Sequence, residues 1–301
     1  MRSRARPLQA VRLRLAASAL AISSGIVLVL FVCWKGGEYA LDRFVYTNPT
    51  LSIAQIHIET DGIIPPDQIS AWSNVRKGEN LLALEIGRIR RDLELVPLIE
   101  SASVERILPR DLIITVRERE PIARVVVFGQ RESDGLVEPS TFYLDEYGMV
   151  IPPVLRKLNS SAFDRATQFL PVITGVGSTT FRPGHVVGSA SILSALQWIR
   201  AFQSSLMAGH VDIRAIDVAS QSTLIVTTEQ GNEISFGYQD FEMQLARWRT
   251  VHNWGMQRTQ FLASLDLAVT NYVPAIWSNP TNTPPPAVRT PQASPYRKKH
   301  V

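Results

Sequence analysis

A pair of strand-like runs separated by a short turn constrains the fold of this chain more than any other feature. In the first run, Ala102 and Val104 flank a single polar residue. In the second, Leu112, Ile114 and Val116 recur at every second position. Alternation of this kind places two sets of side chains on opposite faces of a strand. The two runs therefore predict a β-hairpin.

The residues around this hairpin extend the pattern. The connection Leu108–Asp111 has proline at the second position of a four-residue turn, where a fixed φ is favourable. Before the hairpin, four apolar residues spaced i, i+3, i+7 and i+10 predict a helix that a proline at position 97 ends. These four residues are Ile86, Ile89, Leu93 and Val96.

An additional strand and helix precede these elements. Ile56 and Ile58 alternate with polar residues, and Pro65-Pro66-Asp67 opens a short helix that carries Ile69 and Trp72. The predicted order from about 51 to 118 is therefore β-α-α-β-β, a unit in which two helices can cover one face of a sheet.

This order and its motifs resemble the POTRA domain. The pattern P-x-I-x-x-A-x-V-x-R-x-x-P-x-x-L-x-I-x-V-x-E-R-x-P-x-A is met from Pro97 to Ala123, and Gly78–Leu82 (GENLL) precedes the second helix. The ending Glu118–Ala123 resembles the junction found in the bacterial FtsQ/DivIB family of cell division proteins. The resemblance implies an α+β protein with a single N-terminal transmembrane helix, a β-α-α-β-β POTRA domain, and then a mixed α/β-rich β domain with an exposed edge strand.

The net charge of the chain is concentrated in its two ends. Residues 1–14 carry five arginines and no acidic residue, and residues 278–301 carry four basic residues and no acidic one. Removing these nine positive charges from the formal net charge of +4 leaves about −5 for residues 15–277. A mildly acidic body argues against nucleic acid as a partner, because phosphate binding requires a basic surface.

A long uncharged segment predicts a membrane anchor. Residues 15–34 contain no charged side chain across 20 positions, about 30 Å of helix at 1.5 Å per residue. The five arginines precede this segment and charges of both signs follow it, which places the N-terminus in the cytoplasm. A cleaved signal peptide is the alternative, but no A-x-A-like cleavage site follows the apolar run.

The second half of the chain predicts further strands and two helices. A hairpin is expected around the turn Asp145–Gly148, and apolar stripes predict helices near 192–199 and 241–252. Short strands are predicted between and after the helices, the last from Ala263 to Val269 with a possible continuation through Trp277. These elements, including the segment Leu170–Gly175 (LPVITG), resemble the FtsQ β domain.

The predicted organisation has six segments. In order, they are a cytoplasmic basic tail (1–14), a transmembrane helix (15–34), a juxtamembrane linker (35–50), a POTRA domain (51–120), an FtsQ-type β domain (121–277) and a disordered Pro-rich basic tail (278–301). This organisation predicts a single-pass protein of the cytoplasmic membrane with extracytoplasmic domains, and the resemblance implies that it is concentrated at the division septum.

The sequence offers no constellation for catalysis. The five histidines are scattered, the single cysteine (Cys33) lies in the predicted membrane span, and none of the motifs HExxH, CxxC, GxGxxG, P-loop or G-x-S-x-G occurs. Asp145 and Glu146 could be considered for glycan cleavage, but adjacent residues of a strand point to opposite faces. His252 is interpreted as a half-buried helix residue. We therefore predict a non-enzyme without metal or cofactor.

The resemblance implies a partner site at the end of the β domain. In this family the final strand is understood to pair with FtsB, a coiled-coil protein that also binds FtsL, and other division components such as FtsK and the septal synthases are thought to act through the POTRA domain. The segment Leu265–Leu267 matches the family's entry to that strand, so the predicted partner-binding residues are Thr270, Asn271, Tyr272, Val273, Pro274, Ala275, Ile276 and Trp277.

Two observations qualify this partner site. Tyr272, Ile276 and Trp277 are the apolar anchors that we select, with burial against the domain core as the alternative for Trp277 and for Tyr272. The chain departs from the family pattern at Ala268 and Val269, and at Tyr272 where glycine is usual. Pro274 has no N–H and suits only an edge strand, its start or a break, so the register stays open.

Two other functions remain as alternatives. A POTRA-bearing component of protein secretion, acting as receptor or chaperone, would be expected to continue into a transmembrane barrel, and residues 124–277 are too short and too helical for one of ordinary size. A membrane-anchored cell-wall hydrolase would depend on Asp145 or Glu146.

Overall fold

The computed structural model describes residues 23–37, 39, 49–130, 137–152, 160–177, 181–269 and 273–278. The predicted tail 1–14, the first eight residues of the predicted membrane helix, most of the linker 35–50 and all of the Pro-rich tail except Ser278 lie outside these residues.

The first part of the structure has the predicted β-α-α-β-β order. Its elements are a 3₁₀ turn (Pro49–Leu51), β1 (Gln55–Thr60), α1 (Pro66–Ser73), α2 (Ile86–Glu94), β2 (Ile99–Ile107) and β3 (Asp111–Glu118). The strands form a three-stranded sheet in the order β1-β3-β2. The α+β class and the POTRA-like order are therefore confirmed.

Side-chain burial follows the periodicities read from the sequence. Leu112, Ile114 and Val116 of β3 are buried while the residues between them are more exposed. Ile89 and Leu93 are the buried residues of α2. This helix ends at Glu94, so Val96 of the predicted stripe lies just beyond it.

The second part is built on a nine-stranded sheet. Its elements are β4 (Ala123–Gln130), β5 (Val137–Leu144), β6 (Val150–Ile151), α3 (Ser160–Thr167), β7 (Val172–Thr174), α4 (Ala190–Ser204), β8 (Ile213–Asp217), β9 (Thr223–Thr228), β10 (Glu233–Gly237), α5 (Phe241–Gln257), β11 (Phe261–Asp266) and β12 (Ala275–Ser278). The strand order is β12-β11-β10-β9-β8-β7-β4-β5-β6.

A hydrophobic core connects this sheet with α4 and α5. Trp198 of α4 and Trp248 of α5 are almost completely buried, and each ring meets that of Phe236 on β10 in an edge-on arrangement. Strands β9 and β10 bury every second residue, as expected of a sheet with one face on the core. These contacts hold β10 against the helices, and β10 is the neighbour of β11 at the end of the sheet that contains β12.

The last part of the sheet differs from the sequence expectation. The strand predicted from Ala263 to Val269 is present as β11 but lies two to three residues earlier, and its possible continuation through Trp277 is not observed. Strand β11 ends at Asp266, and β12 pairs with it in the antiparallel direction. The Asp266 carboxylate accepts a hydrogen bond from the Ala268 N–H at 3.0 Å, a local turn that takes the chain out of the strand direction.

At the N-terminal end, residues 23–37 are helical and their side chains are exposed. Among the residues that the structure describes, no helix has the length and apolar character needed to cross a membrane.

The chain divides into two compact units. The smaller contains residues up to His57 together with Val75–Ile86 and Val104–Ile113. The larger contains Ile58–Asn74, Gly87–Ser103 and everything from Ile114 onward. The end of β3 and the nine-stranded sheet thus belong to one compact unit.

Candidate partner-binding edge

The candidate site is the short strand β12 at one end of the nine-stranded sheet. Of the predicted partner-binding residues, Ala275, Ile276 and Trp277 lie in this strand, and Val273 and Pro274 lead into it. Thr270, Asn271 and Tyr272 lie outside the described residues. The structure therefore brings the C-terminal half of the predicted site together on one strand.

The register of β12 is set by its pairing with β11. Trp277 lies opposite Leu262, Ile276 opposite Ser264, and Ala275 opposite Leu265. The ladder shifts between Leu262 and Ser264, which makes Ala263 the extra residue of a β-bulge. The bulge lies on β11, the inner neighbour of the edge strand.

Pro274 occupies a position that its chemistry allows. Its carbonyl oxygen accepts a hydrogen bond from the Asp266 N–H at 3.0 Å, and it stands directly before the first residue of β12. Proline cannot donate to a ladder, so it is confined to the start of a strand or to an edge. The residue that left the register open in the sequence thus lies at the start of an edge strand.

The outer side of β12 has no strand neighbour among the described residues, because this strand ends the sheet order. A strand at a sheet edge presents unpaired N–H and C=O groups on its outer side, and these can accept an added strand. Four residues form a short edge, which limits unintended pairing.

The two faces of β12 have different roles. Ile276 is 65% exposed. Val273, Ala275 and Trp277 pack against the hydrophobic core of the sheet and its helices. Ile276 is therefore the apolar side chain that β12 offers outward, whereas Trp277 is half-buried and attaches the strand to the core.

Near the end of α5, Trp254 and Gly255 contact Trp277, and Arg258 contacts Trp254; the sequence reasoning identified none of the three. The rings of Trp254 and Trp277 are 5.1 Å apart, and the Arg258 guanidinium carbon lies 3.9 Å from the centre of the Trp254 ring. A Cβ on Gly255 would lie 2.5 Å from Cζ3 of Trp277. The available signal in the sequence was the glycine at position 255, just after the predicted helix, since glycine allows another group to approach closely.

The segment that leads out of β11 is also held in place. Leu265 and Leu267 are buried, and the Leu267 N–H donates to the carbonyl oxygen of Ser235 on β10 at 2.8 Å. Since β10 and β11 are parallel, this bond continues their pairing one residue past the end of β11. The predicted entry Leu265–Leu267 is thus a fixed support for the edge.

The acidic pair considered for catalysis is occupied by structural contacts. Asp145 is 3% exposed, and its carboxylate accepts hydrogen bonds from the N–H groups of Tyr147 and Met149 and from the Arg119 guanidinium at 2.6 Å. Glu146 forms an ion pair with Arg200 at 3.2 Å. The hydrogen bond that the Tyr147 hydroxyl donates to the Glu146 carboxylate is the main cause that raises the pKa of Tyr147 above its usual 10.0. These contacts give the two carboxylates roles in the β5–β6 turn.

Two dispersed histidines come together in the structure. The rings of His210 and His252 are 6.4 Å apart. Burial is the largest cause that lowers the pKa of His252 below 6.5, and the positive charge of Arg249 adds to it. Among the described residues, no group of three or more His, Cys, Asp or Glu side chains is placed to hold a metal ion.

Polar residues on β1 and directly after it have no partner role assigned to them. Gln55 and His57 are exposed on β1. Asp61 accepts a hydrogen bond from the Glu118 N–H at 3.0 Å, so its carboxylate has a structural role.

Comparison with known proteins gives two family matches. Residues 51–119 match the family described as "POTRA domain, FtsQ-type", and residues 137–267 match "Cell division protein FtsQ/DivIB, C-terminal". The second match ends eight residues before β12 begins. The family comparison therefore covers the support of the candidate edge and leaves the edge strand itself outside.

Three relatives found by the comparison have the same name. A protein named "Cell division protein FtsQ" from Syntrophotalea carbinolica is 23% identical over 255 residues, which is 84% of this chain and 82% of the relative. One with the same name from Anaeromyxobacter sp. (strain K) is 27% identical over 242 residues, 80% of this chain and 74% of the relative. A third, from Corynebacterium glutamicum, is 25% identical over 157 residues, 52% of this chain and 65% of the relative.

Proposed function

The chain belongs to the FtsQ/DivIB family of bacterial cell division proteins, and from this premise we propose that it is a non-enzymatic scaffold of the divisome. In this proposal β12 accepts a strand from an FtsB-like coiled-coil protein that is paired with an FtsL-like protein. The scaffold links early division proteins to septal peptidoglycan synthesis. The observation that carries the proposal is that β12 ends the sheet and exposes Ile276.

Strand addition at this edge combines backbone pairing with one apolar contact. The backbone groups on the outer side of β12 supply hydrogen bonds, which are insensitive to the sequence of the partner. Side chains add specificity, and Ile276 is exposed at the middle of the strand, where a partner strand would cover it. The remaining predicted contacts, Thr270, Asn271 and Tyr272, belong to the same proposed interface.

The anchoring of the protein is part of the proposal. Residues 15–34 would cross the cytoplasmic membrane with the arginine-rich residues 1–14 in the cytoplasm, and the chain would gather at the septum. The POTRA-type part would meet further division proteins such as FtsK or the septal synthases. No cofactor or nucleic acid is required.

The proposal is tested by measuring the affinity of the full-length chain for the FtsB–FtsL-type pair of the same bacterium. Ile276→Glu places a charge where the partner strand packs, and we expect about tenfold or greater weakening, since 1.4 kcal/mol corresponds to a factor of ten. Ile276→Lys places the opposite charge at the same position and should weaken binding to a similar extent.

Phe128→Glu is the matched control. Phe128 is 71% exposed on β4, six strand positions from β12, which is about 29 Å at about 4.8 Å per strand. The control should bind like the unmodified chain. Equal binding by the Ile276 variants and the control would show that the partner site lies elsewhere. Absence of binding by the unmodified chain would contradict the scaffold role and favour the secretion alternative.

A further inference from the structure

An aromatic surface lies where the described chain ends. Trp254 on α5 is 43% exposed, and its ring centre lies 5.1 Å from that of Trp277, with the two planes tilted by 45°. Met256, two residues further along α5, is 63% exposed. We call Trp254 and Trp277 the tryptophan pair.

Neighbouring residues pack against both members of the tryptophan pair. The ring of Trp277 fills the space in which Gly255 has no side chain, and Ser278 lies opposite Phe261 in the sheet. The Arg258 guanidinium lies against the ring of Trp254 at 3.9 Å, a cation–π contact. Rigid aromatic rings that are partly exposed form low-entropy binding surfaces, since few rotamers are lost when they are covered.

The segment that follows has a composition suited to such a surface. Six of the 19 prolines in the chain lie within residues 279–301, and residues 279–286 read NPTNTPPP without a charged side chain. Proline-rich segments favour the polyproline II helix, which has no internal hydrogen bonds and loses little entropy when it binds. Aromatic-lined surfaces are the common recognition sites for this helix.

The segment begins close to the tryptophan pair, so a turn within it is enough to bring its proline run back to the pair. Pro280 is three residues beyond Trp277, at most about 11 Å along an extended chain. Pro284–Pro286 would lie about 22 to 28 Å away if the chain ran straight at 3.1 Å per residue. The intervening Thr281, Asn282 and Thr283 include a residue type common in turns, which allows the proline run to fold back.

We propose that Asn279–Pro286 docks on the tryptophan pair of its own chain as a polyproline II helix. The flat proline rings of Pro284–Pro286 pack on the exposed part of Trp254, and backbone carbonyl oxygens of the segment accept hydrogen bonds from the Arg258 guanidinium. A short flexible connection gives an effective concentration in the millimolar range, so even a weak contact is substantially occupied.

The inference goes beyond the proposed function and is measured without any partner protein. The full-length chain is labelled with 5-fluorotryptophan, which gives one ¹⁹F resonance for each of its six tryptophans. Trp254→Phe and Trp277→Phe assign the two relevant signals. A chain that ends at Ser278 should show a changed resonance for Trp254, while that of the deeply buried Trp198 stays unchanged.

Two proline variants separate docking from the mere presence of a tail. Replacing Pro284, Pro285 and Pro286 together by Ser should reproduce the spectrum of the shortened chain. Replacing Pro291 and Pro295 by Ser is the matched control and should leave the full-length spectrum as it was. A synthetic peptide of residues 279–289 added to the shortened chain should restore the Trp254 signal with a dissociation constant of about 1 mM, the order expected if the tethered contact is partly occupied.

Three outcomes would overturn the proposal. Identical resonances of Trp254 and Trp277 in the full-length and shortened chains would show that the segment does not dock. A signal difference that disappears on dilution would show that the segment binds a second copy of the chain. Equal effects of the two sets of proline substitutions would show that the proline run at 284–286 is not the docking element.

Discussion

At the residue scale, Arg119 connects parts of the larger compact unit that are distant in sequence. Its guanidinium donates to the carbonyl oxygens of Pro97 and Ile99 at 3.2 Å each and to the Asp145 carboxylate at 2.6 Å. The side chains of Arg119 and Asp145 are 13% and 4% exposed. An ion pair this buried depends on both partners, because either one alone would be left as an uncompensated charge.

We predict that Arg119→Ala lowers the free energy of unfolding by about 3–5 kcal/mol, the range for breaking a buried pair. Denaturant titration of the full-length chain measures this change. The matched control is Arg200→Ala, because Arg200 pairs with Glu146, the neighbour of Asp145, and the two side chains are 53% and 39% exposed. The control should cost less than about 1 kcal/mol. Equal losses in the two variants would contradict a special role for Arg119.

His252 gives a prediction for pH. Its pKa in the folded protein is lowered mainly by burial, so the unfolded chain binds a proton first as the pH falls below 6.5. The stability contributed by neutral His252 is therefore present above pH 6.5 and is lost as the pH falls towards the lowered pKa. His252→Gln should make the unfolding free energy depend less steeply on pH between about 7.5 and 5.5, a window that brackets the ordinary histidine pKa.

His57→Gln is the control for this measurement, since His57 is exposed on β1. Equilibrium denaturation at several pH values compares the three proteins. If the unmodified chain and His252→Gln lose stability in parallel over this window, the burial of His252 does not contribute to the pH dependence.

At the scale of elements, the attachment of β12 to α5 depends on Gly255. Alanine normally stabilises a helix by about 0.5–1 kcal/mol relative to glycine. At position 255, however, the new Cβ would lie 2.5 Å from Cζ3 of Trp277 and 3.0 Å from the carbonyl oxygen of Gln260. We predict that Gly255→Ala destabilises the chain by about 1–3 kcal/mol, as overpacking does, and speeds amide hydrogen exchange in β12.

Gly87→Ala in α2 is the matched control, because the nearest atom to its Cβ would be Nη1 of Arg91 at an ordinary 3.5 Å. This variant should have unchanged or slightly increased stability and unchanged exchange in β12. A Gly255→Ala protein that is as stable as the control would mean that Trp277 can move aside without loosening its strand.

Elements with a local signal were predictable from the sequence, and their spatial order was not. The hairpin of β2 and β3 follows from the alternation around Leu112 and Ile114, and the β5–β6 turn from Asp145 and Gly148, whose φ is +83°. By contrast, the parallel pairing of β10 with β11 joins Ile234 to Leu265 across a helix. Period-two patterns give the faces of a strand but carry no information about its neighbour.

The candidate site was likewise predictable from the sequence only in part. The presence of an edge near Pro274 was predictable, because proline cannot lie within a sheet. The reversal between β11 and β12 and the seating of Trp277 against Gly255 depend on contacts between separate elements. The alternative that we considered for Trp277 was burial against the core. Its ring is partly buried there, next to Trp254 of α5.

At the scale of the whole molecule, the distribution of charge separates the ends from the body. The basic residues of 1–14 and 278–301 give these ends a charge of opposite sign to the rest of the chain, which carries about −5. Any attraction to a polyanion must then come from the ends, because the body repels it. Attraction of this kind is sequence-independent and weakens steeply with salt through counterion release.

We therefore predict that the full-length chain binds a single-stranded DNA oligonucleotide weakly at low salt and loses this binding at physiological salt. Replacing Arg289, Arg297, Lys298 and Lys299 by Gln should reduce the salt dependence, with a change in the slope of log affinity against log salt of at most about 0.7 for each contact removed from a single strand. Fluorescence anisotropy over a range of salt concentrations measures both quantities.

The matched control, Arg88→Gln and Arg90→Gln, removes charges from α2 that are paired with Asp92 and Glu94. If this control lowers the slope as much as the tail variant, the basic ends do not account for the attraction. Strong binding that persists at physiological salt would instead indicate a nucleic-acid surface on the body and would contradict the scaffold proposal.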